Sequence, residues 1–221
     1  MIKADIPQGP ITKEYIKGFL PHNPVIVEAG AHKGRDTIKM GKLFPSASIH
    51  AFEPVPNLFC ELLRTTAPYP SITCYQLALA DTQSDALLYV SSGASTAASS
   101  LLEPYTYLTE RPNVLFSPLT IKTTTLAAWA EQENITKIDF LWLDMQGTEL
   151  RALKGAQNLI SQVSAILIEA NLTERFKENP LYEDVLLWAE RHFFKPVLQD
   201  IPKHNKINLL LVASKNIKAG Y

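Results

Sequence analysis

One acid and two glycines stand close together near the start of the chain, in Val-Ile-Val-Glu28-Ala-Gly30-Ala-His-Lys-Gly34, and a second acid, Glu53, follows 23 residues after Gly30. The apolar run 25–27 reads as a buried strand meeting a turn, and in open parallel sheets ligands bind beyond the carboxyl ends of strands. A GxGxxG dinucleotide turn would need glycine where this chain has Glu28 and Lys33. A carboxylate is a poor neighbour for a pyrophosphate at a helix N-terminus and a good one for an ammonium or sulfonium. Gly30 and Gly34 then serve close backbone approach. Glu53 ends the second strand, where an acid can accept both hydroxyls of a ribose. Strand, ExGxxxG and a strand-terminal acid in this order describe a site for S-adenosylmethionine. The plainer alternative is a tight turn and a solvated Glu53.

A second group of chemically capable residues closes the apolar run 138–143, in Asp144-Met145-Gln146-Gly147-Thr148-Glu149. Asp144 would sit at the mouth of the sheet beside the first turn, placed to take a proton, and Glu149 is a second catalytic candidate. Helix capping by Asp144 or Thr148, and a Glu149 that merely favours the positive helix end, are the structural alternatives. Glu169 and Asn171 end the next strand and would lie beside Asp144. These three oxygen-bearing side chains could hold Mg²⁺, a reading ranked below simple base catalysis by Asp144, so no metal ligand is assigned.

The elements that must position these groups alternate. A short amphipathic pattern (Ile11, Tyr15, Ile16, Phe19, Leu20) makes residues 1–24 a capping helix, and 25–221 one domain of strands separated by helices. Strands fall at 25–27, 48–52, 72–79, 85–90, 119–123, 138–143 and 163–168, with two more near 196–201 and 207–213. This is an α/β fold with a mainly parallel sheet, helices on both faces and an antiparallel closing hairpin. Residues 91–118, rich in Ser, Thr, Ala and Pro, break the rhythm and are expected to be a mobile cover loop over the active site.

Composition narrows the function. With 221 residues, 46% of them hydrophobic and 19% charged, the chain is neither disordered nor fibrous. A net charge of −1 and no run of like charges argue against nucleic acid and anionic membrane as partners. No stretch approaches 18 consecutive apolar residues, and charges interrupt the first 21, so neither a membrane span nor a secretory leader is expected. Cys60 and Cys74 lack any CxxC or zinc spacing and read as two buried reduced thiols, which favours a cytoplasmic location. The five histidines show no metal spacing, there is no GxSxG elbow, and no Asn/Asp-Pro-Pro-aromatic motif of amide or base N-methylation follows the relevant strand. Trp129, Trp142 and Trp188 fit core positions.

At this point the chain resembles the FkbM-type methyltransferases. The resemblance rests on VIVEAGAHKGRDT at 25–37, HAFEPVPNLF at 50–59, LALAD at 77–81 and, above all, the LDMQGTEL…LKGA block within 123–160; it covers roughly residues 24–170. It implies a class I, Rossmann-like methyltransferase with a seven-stranded sheet and one antiparallel strand, using S-adenosylmethionine. It also implies O-methylation of a hydroxyl on a small molecule, a sugar or a polyketide-like acceptor. Carried onto this sequence, it implies cofactor contacts from Glu28, Gly30, Ala31, His32, Gly34, Thr37, Glu53, Pro54, Leu79 and Asp144. Two positions depart from the family pattern: His32 stands where Asn is common, and Gln146 where many members carry Glu. A catalytically silent module that kept the cofactor pocket is the alternative, and a nucleotide-dependent dehydrogenase is disfavoured by Glu28 and Lys33. Acceptor, methylated atom and oligomeric state have no signature in the sequence.

Overall fold

The structure, a computed structural model, describes residues 6–217. In chain order its elements begin with α1 (Lys13–Lys17), β1 (Val25–Ala29), α2 (Arg35–Leu43), β2 (Ser48–Phe52), α3 (Pro56–Thr66) and β3 (Ile72–Tyr75). Next come β4 (Ala78–Leu79), β5 (Asp85–Gly93), α4 (Tyr107–Glu110), β6 (Val114–Thr124), α5 (Leu126–Gln132) and β7 (Ile138–Leu143). The last are α6 (Glu149–Lys154), β8 (Val163–Asn171), α7 (Tyr182–Arg191), β9 (Phe194–Gln199) and β10 (Lys206–Ala213).

Seven strands form the main sheet in the order β3-β2-β1-β7-β8-β10-β9. The chain builds outward from β1 to β2 and β3, then returns to add β7 on the other side of β1, so the strand order reverses between β1 and β7. That switch point opens a crevice at the carboxyl ends of these two strands. Only β10 runs antiparallel, entering between β8 and β9.

The central strands are buried on both faces, which explains their near-continuous apolar sequence; β8 is buried at all nine positions. Successive side chains alternate between the faces. Val27, Ala29, Leu141, Leu143, Ile166 and Ile168 pack with Trp129, Leu153 and Val185, while Ile26, Phe140, Leu167 and Leu210 pack with Ile16 and Met40. Glu28 has the parity of Ile26, so its carboxylate lies on the α2 face of an otherwise apolar strand.

Three expectations are corrected. The capping helix expected over 1–24 shrinks to the five residues of α1, capped by the Thr12 hydroxyl, which accepts from the Tyr15 amide. Ahead of it, Pro7 and Gly9 exchange backbone hydrogen bonds with Gln199 (both 2.9 Å), because prolines 7 and 10 favour extended chain; residues 1–5 lie outside the described range. Residues 91–118 are not one unpatterned loop. Their two ends belong to a long β-ribbon in which β5 and β6 pair without interruption from Asp85–Lys122 to Gly93–Val114. Ser and Thr on the ribbon's solvated face hide the alternation, and Pro118 reads as a breaker. It is tolerated because β4 covers only Thr123 and Thr124, leaving that side of β6 an open edge at Pro118. The connection 94–113 is packed through Ala98, Leu102 and Tyr107 against Phe176. Finally, Cys60 is exposed on α3 and Cys74 half-buried, both as free thiols. Among the described residues no helix is long and apolar enough to cross a membrane.

Candidate active site

The carboxyl ends of β2, β1 and β7 open into a cavity of about 510 Å³ whose lining includes Glu28, Gly30, His32, Glu53, Asp144 and Gln146. A narrower slot of about 60 Å³, walled by Phe52, Pro54, Leu77, Leu79, Leu88 and Leu101, adjoins it; Glu53 and Asp144 line both.

The turn after β1 is shaped by its neighbour strands. The amides of Gly30 and Ala31 both donate to the Phe52 carbonyl (3.1 and 3.0 Å), and the Asp144 amide donates to the Ala29 carbonyl (3.1 Å). Gly30 has φ +89°, and a Cβ there would stand 2.0 Å from the Asp144 carbonyl oxygen. The close approach that demands glycine is therefore between β1 and β7, not between the turn and a ligand. Gly34 (φ +78°) likewise packs the start of α2 against Leu62, Thr65 and Thr66 of α3, and does not line the cavity.

Glu53 is buried, and its carboxylate accepts from the amides of His32 (Oε2, 2.9 Å) and Val55 (Oε1, 2.8 Å). This clamps the group at the junction of cavity and slot, with lone pairs left for a ligand. Burial pushes its pKa up to about 7, against those two donors. Glu28 is also buried, and its Oε2 has no hydrogen-bond partner. Burial raises its pKa to about 7 as well. An enclosed carboxylate without a partner is costly, and it is the group a ligand cation would relieve. Thr37, also buried, is on α2 off the cavity wall; its hydroxyl is the polar neighbour that offsets part of the rise at Glu28, though neither Thr37 Oγ1 nor Glu28 Oε2 completes a well-aligned hydrogen bond among the described residues. His32 is held at φ 53°, and its Nε2 is 2.9 Å from the Thr96 hydroxyl, joining the β1 turn to the ribbon connection. Burial and the nearby Lys33 charge lower its pKa.

At the end of β7 the two catalytic candidates part company. Asp144 is exposed to the cavity and caps no helix: the N-cap of α6 is Thr148. Glu149 is buried and does not line the cavity. Its carboxylate accepts from the amides of Met145 (2.8 Å) and Gly147 (3.0 Å), fixing the turn that carries Asp144. Burial raises its pKa to about 7. Glu149 thus shapes the site without facing it. Of the Mg²⁺ set, Asp144 Oδ1 and Glu169 Oε1 do converge, but on the Gln146 amide nitrogen (2.7 and 2.9 Å), which stands between them. Glu169 accepts from Gln146 at Oε1 (2.9 Å) and pairs with Lys206 at Oε2, and among the described residues no group of three His, Cys, Asp or Glu side chains is arranged to hold a metal.

Ala31, Pro54 and Leu79 line the cavity or slot as the resemblance implied. Several lining residues escaped the sequence reading. Arg35 and Asp36 follow the first turn directly, and that adjacency was the available signal. Thr96, Ala97 and Ser99 come from the Ser-rich connection, and Trp142, read as core, lines the cavity wall. Gln146 was noted only for its missing charge.

Strand order, the single antiparallel strand and a ligand crevice at the switch point define a class I, Rossmann-like methyltransferase. The Methyltransferase FkbM domain matches residues 28–196, and the chain belongs to this family. Among curated proteins it is similar to the 2-O-methyltransferase NoeI of Sinorhizobium fredii, 25% identical over 170 residues that cover 74% of this chain and 68% of NoeI. The fold matches the crystal structure of the methyltransferase FkbM from Methylobacillus flagellatus KT with a TM-score of 0.53 at 15% identity. That match covers 86% of this chain but 44% of the longer one, so this chain spans less than half of that relative. M. capricolum TrmK, solved with S-adenosyl-homocysteine, matches with a TM-score of 0.53 at 9% identity over 93% of this chain and 69% of its own.

Proposed function

We propose that this chain transfers a methyl group from S-adenosylmethionine to a hydroxyl oxygen of a small-molecule or glycan acceptor. The observation that carries the reading is the placing of three carboxylates with three different environments at adjacent strand ends. Glu28 near the end of β1 is buried with an Oε2 that has no partner among the described residues, Glu53 after β2 is buried and clamped, and Asp144 after β7 is exposed. These match the parts of the cofactor. Glu28 accepts its ammonium, Glu53 accepts the ribose hydroxyls, and the apolar slot beside Pro54 and Leu79 takes a flat heterocycle. When bound, S-adenosylmethionine supplies a methyl carbon activated by the sulfonium. The protein aligns the acceptor oxygen with that carbon, and Asp144 takes up the hydroxyl proton as the oxygen forms its new bond. The name of NoeI supports oxygen as the methylated atom. Base catalysis by Asp144 needs no metal.

Calorimetry with S-adenosylhomocysteine tests the first half, and turnover against a panel of hydroxyl acceptors the second. Asp144→Asn should keep cofactor affinity within a few-fold while turnover falls about 10²–10⁴-fold, and EDTA should leave the wild-type rate unchanged. Absence of a binding heat with either adenosyl ligand overturns the reading. Loss of activity with EDTA and its return with Mg²⁺ replaces base catalysis by metal catalysis.

A further inference from the structure

Gln146 belongs to the β7–α6 turn, yet its backbone is left-handed at φ 56°, a conformation that costs a non-glycine residue about 1 kcal/mol. Side-chain and main-chain contacts hold it there from three elements. Its amide nitrogen donates to Asp144 Oδ1 (2.7 Å) and to Glu169 Oε1 (2.9 Å). A primary amide nitrogen has two hydrogens, so both are spent, and the flipped amide would set oxygen against two carboxyl oxygens. Its backbone carbonyl accepts from the Ser100 hydroxyl (2.9 Å), which reaches across from the ribbon connection. Beyond Glu169, Lys206 of β10 closes the chain as an ion pair. The result is a continuous brace, Asp144–Gln146–Glu169–Lys206, running from the exposed carboxylate at the cavity to the antiparallel strand.

We propose that Gln146 is a positioning residue for Asp144: its uncharged amide fixes the rotamer of that carboxylate toward the acceptor while bracing itself on Glu169. The inference rests on the methyl-transfer reading above. It also accounts for an amide at this position. A carboxylate here would put three acids around one lysine, and one of them would have to hold a proton, whereas an amide donates twice at any pH.

The test uses the full chain with S-adenosylhomocysteine, in the wild type and in Gln146→Leu, which keeps the volume and removes both donors. Crystal structures should show Asp144 in one rotamer in the wild type and spread over several in the variant. Calorimetric affinity for S-adenosylhomocysteine should stay within about threefold, and kcat should fall about 10–100-fold with the cofactor KM little changed, because lost alignment is felt in the chemical step. Gln146→Glu, which retains a hydrogen-bonding side chain but inverts its donors, should lie between the two at low pH and approach Gln146→Leu as pH rises. Asp144 held in its wild-type rotamer without Gln146, or an unchanged kcat, overturns the proposal. A wild type that does not bind S-adenosylhomocysteine overturns the methyl-transfer reading instead, and the rotamer comparison still decides whether the brace orients Asp144.

Discussion

At the scale of single residues, Glu28 shows how a site is bought with stability. Its enclosed, unpartnered oxygen destabilises the ligand-free protein, so Glu28→Gln should raise the melting temperature while weakening S-adenosylhomocysteine binding about 10–100-fold, the worth of a charge-assisted hydrogen bond. Glu53→Ala should weaken binding as well, but without the gain in stability, because it orphans the His32 and Val55 amides. Differential scanning fluorimetry and calorimetry on the two variants separate these outcomes; a Glu28→Gln protein with unchanged affinity would remove Glu28 from the cofactor site. The placing of Glu28 and Glu53 at the mouth of the sheet is legible because each closes an apolar run. Glu149 was misjudged because the same reasoning cannot tell a carboxylate facing a ligand from one turned back onto its own turn. Gln146 was passed over because its two carboxyl partners are 2 and 23 residues away, and only the fold brings the second within reach.

At the scale of elements, the parallel core is legible, while the ribbon is legible only at its base, where strands are expected at 85–90 and 119–123. β1, β2, β7 and β8 announce themselves by apolar runs that end in acids or turn residues, since both faces are covered. β5 ends in Ser-Ser-Gly and β6 carries Pro118, so their distal pairing depends on each other rather than on local pattern. Amides of β5 and β6 should be slow to exchange in the ligand-free protein, as should those near Tyr107, packed on Phe176. Protection gained on adding S-adenosylhomocysteine should concentrate at residues 96–100, where Thr96, Ala97 and Ser99 line the cavity and Ser100 reaches Gln146. Hydrogen exchange with mass spectrometry reads this directly; fast exchange through the whole of 91–118 before ligand is added would restore the mobile cover loop expected from composition.

At the scale of the whole molecule, the buried acids set a pH dependence. Glu28, Glu53 and Glu149 titrate near 7 in the folded protein, raised by burial from an ordinary value of 4.5. The folded state therefore holds protons that the unfolded chain has released. Their contribution is full below pH 4.5 and is lost as pH rises through 7. Asp36 and Asp81 shift the opposite way: lysine contacts outweigh burial at Asp36, and Lys154 dominates at Asp81. They are partly exposed and screened, so the buried set decides the sign. Melting temperature without ligand should fall between about pH 5 and pH 8. With S-adenosylhomocysteine the fall should be shallower, since an ammonium beside Glu28 lets that acid stay charged. A ligand-free melting temperature that rises over this interval would show that the three acids are ionised in the folded state.

The place of β10 in the sheet imposes an order on biosynthesis. β8 and β9 are translated before it, yet neither can pair with the other, because the gap between them is reserved for a strand still to come. Until that strand leaves the ribosome, β8 presents a bare hydrogen-bonding edge and Glu169 has no lysine. The nascent protein is therefore most exposed to mispairing in the interval before β10 emerges. The same delay means that the brace behind Asp144 closes only when Lys206 arrives. Every chain that has not inserted its antiparallel strand lacks the support that Lys206 gives, through Glu169, to the turn carrying Asp144.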